Sequence, residues 1–316
     1  MTGERGGFDE ATLEEAGFPV ISYDRLVVGE EFRSGEHLVI PEDVETYAYA
    51  VDDHDPWFFG PGPFGGPVAH PTLLANQALF LRHSRYVVPA GLHARMAFEF
   101  LAPVRLGTRA RTVGRVADKY VRRGKPYMVT EYRTTDDDDH PLVAGRFTQM
   151  LFAGATAPPA GTGPRPEPEV DVEPDPSIRR TQGRHGGLAA GDRLGPVVRA
   201  VDQRRIDAYS GVRPGSIHTD LEWARAKGFP TPIAQGMMST AYVSALMTDA
   251  VGAGFVVGGR MDVRFLRPVH PGTTLNVTGT VTGFTRDGDG IRAHVEVAAH
   301  ADDGTQTLAG TASGLV

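Results

Sequence analysis

Two side chains that can carry a proton occupy the same place in two related stretches of this chain, and they are different residues. Asp53 stands in Asp53-His54-Asp55-Pro56, and His218 stands in Ile217-His218-Thr219-Asp220. A histidine can take and return a proton near neutral pH. An aspartate in that setting is either a base or the anchor of an Asx turn beside Pro56. Seventeen residues beyond each lies a further polar group, His70 after Pro67-Val68-Ala69 and Gln235 after Pro232-Ile233-Ala234. Gly236 follows Gln235 and opens an apolar helical run. Its backbone N–H, at the positive end of a helix, suits an oxygen that gains negative charge. Pro71 holds the corresponding place after His70 and has no N–H to offer. A base and an oxyanion donor on one loop are the requirements for proton transfer beside a carbonyl.

The spacing that relates these residues runs through the whole chain. At an offset of 165 residues, Arg95-Met96-Ala97-Phe98-Glu99-Phe100-Leu101-Ala102-Pro103-Val104 aligns with Arg260-Met261-Asp262-Val263-Arg264-Phe265-Leu266-Arg267-Pro268-Val269. Gly107-Thr108 and Gly272-Thr273 follow at the same offset. Two copies, neither able to bury a full core alone, predict an internal pseudo-dimer. The chain divides into a polar leader over 1–20 with room for one short helix, a first unit over 21–152, a Pro/Gly-rich linker over 153–187 read as extended, and a second unit over 188–316. In each unit the signals come in the same order. A helix starts near Pro41-Glu42 or Val201-Asp202, and a Gly/Pro-rich loop follows. A buried helix is then predicted over Thr72–Arg85 or Met237–Val251. Alternating apolar runs split by turn signals predict an antiparallel meander after it. The fold class is α+β, with a sheet wrapped on a central helix in each unit. The Asp136-Asp137-Asp138-Asp139 run falls at a hairpin, where adjacent carboxylates diverge into water.

Composition removes several classes of function. With no cysteine among 316 residues there is no thiol nucleophile, disulfide frame or thiolate metal site. The net charge of −7 is spread along the chain, which argues against nucleic acid as a partner. No apolar run reaches the roughly 18 residues of a membrane span, and the acidic N-terminal stretch is not a signal peptide. A cytoplasmic protein is expected.

The string from Ile217-His218 and Asp220 through Gly228-Phe229, Pro232-Ile233-Ala234 and Gly236-Met237 resembles the signature of the MaoC-like dehydratases, which include R-specific enoyl-CoA hydratases. Gly258-Gly259-Arg260-Met261-Asp262-Val263-Arg264-Phe265 is similar to that family's strand after the central helix. The resemblance covers most of the second unit and, more weakly, the first. It implies a double hotdog fold and substrates that are acyl thioesters of coenzyme A or an acyl carrier protein. It implies no metal or redox cofactor and allows a homodimer. It further implies hydration of a 2-enoyl thioester or dehydration of a 3-hydroxyacyl thioester, with His218 as the proton carrier and Gly236 as the oxyanion donor. Arg213, Ser216, Gln235 and His70 are the candidate substrate-binding residues. Asp220, two residues beyond His218, is expected to cap the helix that follows it.

Departures from that pattern matter as much as the match. The family's common D-x-N-P-(I/L)-H places an aspartate five residues before the histidine, but Arg213 stands there. The first unit has the complementary defect, with Asp53 present and Phe58 in the histidine's place. Asp53 is therefore the candidate partner of His218, although pseudo-twofold symmetry ordinarily keeps such positions apart. Arg213 carries a permanent charge on a fork suited to carboxylate or phosphate. If it points inward, it would accept a substrate with an additional carboxylate. Trp57, Phe58, Phe59 and Phe64 are either pocket lining or core. A non-hydrating isomerase or cyclase, or a silent acyl-binding partner, would use the same scaffold. A thioesterase fits less well, because Asp249 is the only carboxylate on either central helix.

Overall fold

The computed structural model describes residues 17–152 and 173–316. The leader up to residue 16 and the linker over 153–172 lie outside the described residues.

The repeat is written into one continuous antiparallel sheet. The first unit supplies β1 (Glu31–Arg33), β2 (His37–Leu38), β3 (Gly91–Phe100), β4 (Arg109–Arg122), β5 (Lys125–Thr135) and β6 (Pro141–Leu151). The second supplies β9 (Arg193–Val201), β10 (Arg260–Phe265), β11 (Thr273–Asp287), β12 (Gly290–Ala301) and β13 (Gln306–Leu315). Their spatial order is β1-β4-β5-β6-β3-β10-β13-β12-β11-β9, with β2 also pairing with β4. The two units meet where β3 runs antiparallel to β10, and Ala97 faces Asp262 there. Those residues are repeat equivalents, so the pseudo-twofold axis passes between them. Arg95 grips Asp262 across this seam with two hydrogen bonds, Nε to Oδ1 at 2.8 Å and an Nη to Oδ2 at 2.5 Å.

The helices are α1 (Pro41–Val51), α2 (Thr72–Gln77), α3 (Gln203–Ser210), α4 (Leu221–Ala226), α5 (Gly236–Val251) and α6 (Ala253–Val256). Helix α5 has no Gly or Pro after Gly236 and is buried on nearly every face, so it needs no polar stripe. It is the central helix of the second unit and packs on its sheet. Its counterpart is shorter than the apolar run Thr72–Arg85 predicts. After α2 the chain tightens into 3-10 winding over Ala78–Ser84, which turns Leu81, Arg82 and His83 inward in succession. Helices α1 and α3 pack against each other at the pseudo-axis, where Tyr47 and Tyr209 bring their hydroxyls to 3.3 Å. Among the described residues no helix is long and apolar enough to cross a membrane.

Part of the stretch read as linker is ordered structure. Strands β7 (Arg180–Gly183) and β8 (Gly186–Ala189) form a hairpin, whose turn places Arg184 over the Trp57 ring at 4.0 Å. Arg184 also donates to Asp55 Oδ2 at 2.5 Å and to the Thr248 carbonyl at 3.4 Å. A short hairpin rich in Gly has little apolar content of its own, so its order comes from these tertiary contacts.

Candidate active site

The loop that carries His218 is built by two local devices. Gly215, at φ +73°, permits the turn after Pro214. Asp220 caps α4 by accepting from Trp223 N at 3.0 Å, and its other oxygen accepts from Gly215 N at 3.0 Å. One carboxylate therefore ties both ends of the His218 segment, and these backbone N–H groups hold its pKa below the ordinary value. The loop rests on the first unit through a small apolar cluster of Ala90, Ile217 and Ile233, joined by Trp223 and Phe229. Trp223 Nε1 donates to the Pro89 carbonyl at 3.1 Å.

His218 is fixed in one tautomer. Its Nδ1 lies 2.7 Å from the Ile233 carbonyl oxygen, which can only accept, so Nδ1 carries the proton and Nε2 is a lone-pair base. Burial lowers its pKa to about 4 against the opposing pull of that hydrogen bond, and the charges of Arg213 and Arg82 add to the fall. The imidazole is neutral at pH 7.

Two recesses flank this ring. One, of about 130 Å³, is shared by His218, His93, Gln235, Gly236, Ser239 and Phe265. The first helical hydrogen bond of α5 runs from Met238 N to Gln235 O, so the Gly236 and Met237 N–H groups precede the helix's own acceptors. A Cβ at Gly236 would lie 3.0–3.2 Å from the Phe265 ring. The glycine thus also lets that ring close over the helix start. Gln235 Nε2 donates to Ser210 Oγ at 3.1 Å. Ser216 is buried, and its Oγ accepts from His218 N at 3.2 Å.

The second recess, of about 60 Å³, also borders His218 and is lined in part by Arg82, His83, His93 and Arg213. His93, from β3 of the first unit, lines both spaces. Burial, followed by the charges of Arg82 and His218, lowers its pKa to about 3. His93 and Arg82 are site residues that sequence reasoning missed, because both come from the other copy and no spacing connects them to His218.

Asp53 is elsewhere. Its Oδ2 lies 3.2 Å from His70 Nε2, in a contact off the ideal hydrogen-bond direction, and its Oδ1 accepts from Asp55 N at 3.3 Å. His70 Nδ1 in turn lies 2.9 Å from Thr72 Oγ1, which meets Tyr47 Oη at 2.7 Å. Burial pushes the Asp53 pKa up, but His70, Arg199 and the Asp55 N–H together hold it below the ordinary value. Among the described contacts none joins Asp53 to His218. Asp53 and His70 pair within the first unit, at the positions that His218 and Gln235 hold in the second. Because His70 is 1% exposed, Asp53→Asn removes the charged partner of an interior ring. The variant is expected to lose about 3 kcal/mol of stability, read as a lower urea midpoint at unchanged slope. The aromatic group does not line either recess. Phe58 is core, Phe59 is exposed, and Trp57 packs edge-on against Phe64 beneath Arg184.

The sheet, the two central helices and the interfacial site define a double hotdog. Residues 198–304, most of the second unit, match the family model described as MaoC like domain. No curated protein sequence matches the chain. Solved structures agree over nearly its full length. One named MaoC-like dehydratase is 20% identical, covering 93% of this chain and 99% of its own at a TM-score of 0.69. A MaoC domain protein dehydratase from Chloroflexus aurantiacus is 13% identical over 94% and 97% of the two chains, at 0.74. A Mycobacterium tuberculosis protein described as having a double hotdog fold is 16% identical over 94% and 98%, at 0.66. At these identities the likeness is one of fold.

Proposed function

We propose that this protein hydrates 2-enoyl thioesters, or dehydrates 3-hydroxyacyl thioesters, carried on coenzyme A or an acyl carrier protein, at the single site of the second unit. The observation that carries the reading is His218. It is a half-buried imidazole with its Nδ1–H on the Ile233 carbonyl, which leaves Nε2 as a base, and the residue lines one recess together with Gly236. The names of the similar structures point the same way.

In hydration the thioester oxygen accepts from the Gly236 N–H, and the enolate-like charge grows where the helix end favours it. His218 Nε2 takes a proton from water as the water oxygen bonds to the β-carbon. The imidazolium then returns a proton to the α-carbon, so one group serves as base and as acid and the atoms of water are conserved. His93 and Gln235 face the same space, where a neutral ring and an amide oxygen can hold the water in line. Asp53 acts on the first unit, through His70, rather than on this proton.

A second reading is favoured by one observation. Among the described residues no carboxylate contacts His218, and a lone base moving a proton between the α- and γ-carbons would isomerise an enoyl thioester instead. Purified protein given a short 2-enoyl-CoA in water decides between them by its product. A 3-hydroxyacyl-CoA carrying solvent oxygen is expected, and a 3-enoyl-CoA without added oxygen would establish the isomerase.

A further inference from the structure

The second recess beside His218 is the smaller of the two, at about 60 Å³, and its lining mixes apolar and cationic side chains. Leu79, Phe80 and Val88 line it together with Arg82, His83 and Arg213. Arg82 is 8% exposed and His83 5%, so both belong to the interior. Arg213 is held there by its backbone. Its N–H lies 3.2 Å from Thr219 Oγ1, and its carbonyl accepts from the same hydroxyl at 3.1 Å. Among the described residues no carboxylate lies within ion-pair distance of the Arg213 guanidinium.

The histidines contribute no charge of their own. Burial, then Arg82 and Arg213, pushes the His83 pKa well down, and the same two arginines add to the effect of burial on His218. Positive charge in this lining therefore rests on guanidinium groups, whose planar fork matches a carboxylate in two hydrogen bonds. The thioester end has its own opening at the first recess, where Leu266 and Arg267 are exposed beside Gly236.

We propose that this recess receives a carboxylate at the far end of a short acyl group, so that the substrate is the mono-thioester of an unsaturated dicarboxylic acid and Arg213 selects it. The proposal rests on the hydratase reading of the site, but its test does not require turnover. Calorimetric binding of two saturated four-carbon thioesters, butanedioyl-CoA and butanoyl-CoA, isolates the terminal carboxylate. The expected result is at least about a tenfold lower Kd for butanedioyl-CoA. Arg213→Met is expected to bring the two affinities together, and Arg213→Lys to leave an intermediate preference, because a point charge replaces the fork. Equal affinities in the parent protein would overturn the proposal. Equal weakening of both ligands by Arg213→Met would overturn it as well, by assigning the arginine to a phosphate of the carrier. If the preference holds while neither butenoyl-CoA nor the butenedioic mono-CoA thioester is hydrated, the substrate assignment stands and the hydratase reading falls.

Discussion

Replacing His218 with alanine is expected to lower kcat for hydration of a 2-enoyl thioester by about a thousandfold, with KM nearly unchanged. General acid–base catalysis is worth about 10²–10⁴-fold, and in the proposed mechanism one ring performs both proton transfers. Among the described residues no carboxylate stands beside it to take over, since the nearest candidate by sequence, Asp53, is committed to His70. The ring also titrates far from its ordinary value. With the folded pKa lowered to about 4, the working base stays unprotonated down to mildly acidic pH. kcat/KM should be flat above about pH 5 and fall as pH drops through about 4.

The same shift has a consequence for stability, with a definite sign. The unfolded histidine binds its proton near pH 6.5 and the folded one near 4. The unfolded state is therefore favoured by acid between those values. The full contribution of the neutral ring is present above pH 6.5 and is lost as pH falls toward 4. It amounts to about 3 kcal/mol for His218, and His93, lowered to about 3, acts in the same direction. Urea midpoints at pH 7 and pH 4.5 should lie closer together in His218→Gln than in the parent protein. An identical gap in both would show that the ring is not held neutral by burial.

The fold was legible because the duplication leaves the same marks twice. The hydrogen bond from Ala69 N to Val104 O at 2.7 Å recurs from Ala234 N to Val269 O at 2.8 Å, 165 residues on. Turn residues at matched places gave both meanders. Less could be read where tertiary contacts override local composition. The Gly-rich hairpin about Arg184 has no strand signal that competes with a linker, and it is held from outside by Trp57, Asp55 and the Thr248 carbonyl. Helix propensity over Thr72–Arg85 likewise gave no hint of the 3-10 winding that brings Arg82 toward the second unit.

For the site, sequence pattern reaches residues that share a loop and stops at residues that meet across the pseudo-axis. His218, Gln235 and Gly236 fall within one segment and were found together. His93 lies on a strand of the other copy, in a stretch that reads as an ordinary half-buried edge of the core. Equivalence between the copies sets Asp53 against His218, but the contact Asp53 makes is within its own copy. His70 and Asp53 are spaced as Gln235 and His218 are, so the fold that lets the latter two share a recess brings the former two into contact.

Substituting proline at Gly236 is expected to cost about a hundredfold in kcat beyond the effect of alanine at the same position. The backbone tolerates the change. Gly236 is the first residue of α5, where proline's missing N–H breaks no helical hydrogen bond. Gln235, at φ −65° and ψ 138°, already has the extended conformation that a following proline demands. Both substitutions bring a Cβ to within 3.0–3.2 Å of the Phe265 ring, and only proline removes the N–H, putting its Cδ in place of that hydrogen. The ratio of their kcat values therefore reads the hydrogen bond to the developing oxyanion, for which one donor is worth about 10²–10³. Pro71, which heads α2 in the first unit, is the natural counterpart of this variant: it has no N–H to offer, and His70 beside it is buried. Equal kcat for the proline and alanine variants would remove Gly236 from the oxyanion role and leave it as the residue that admits Phe265.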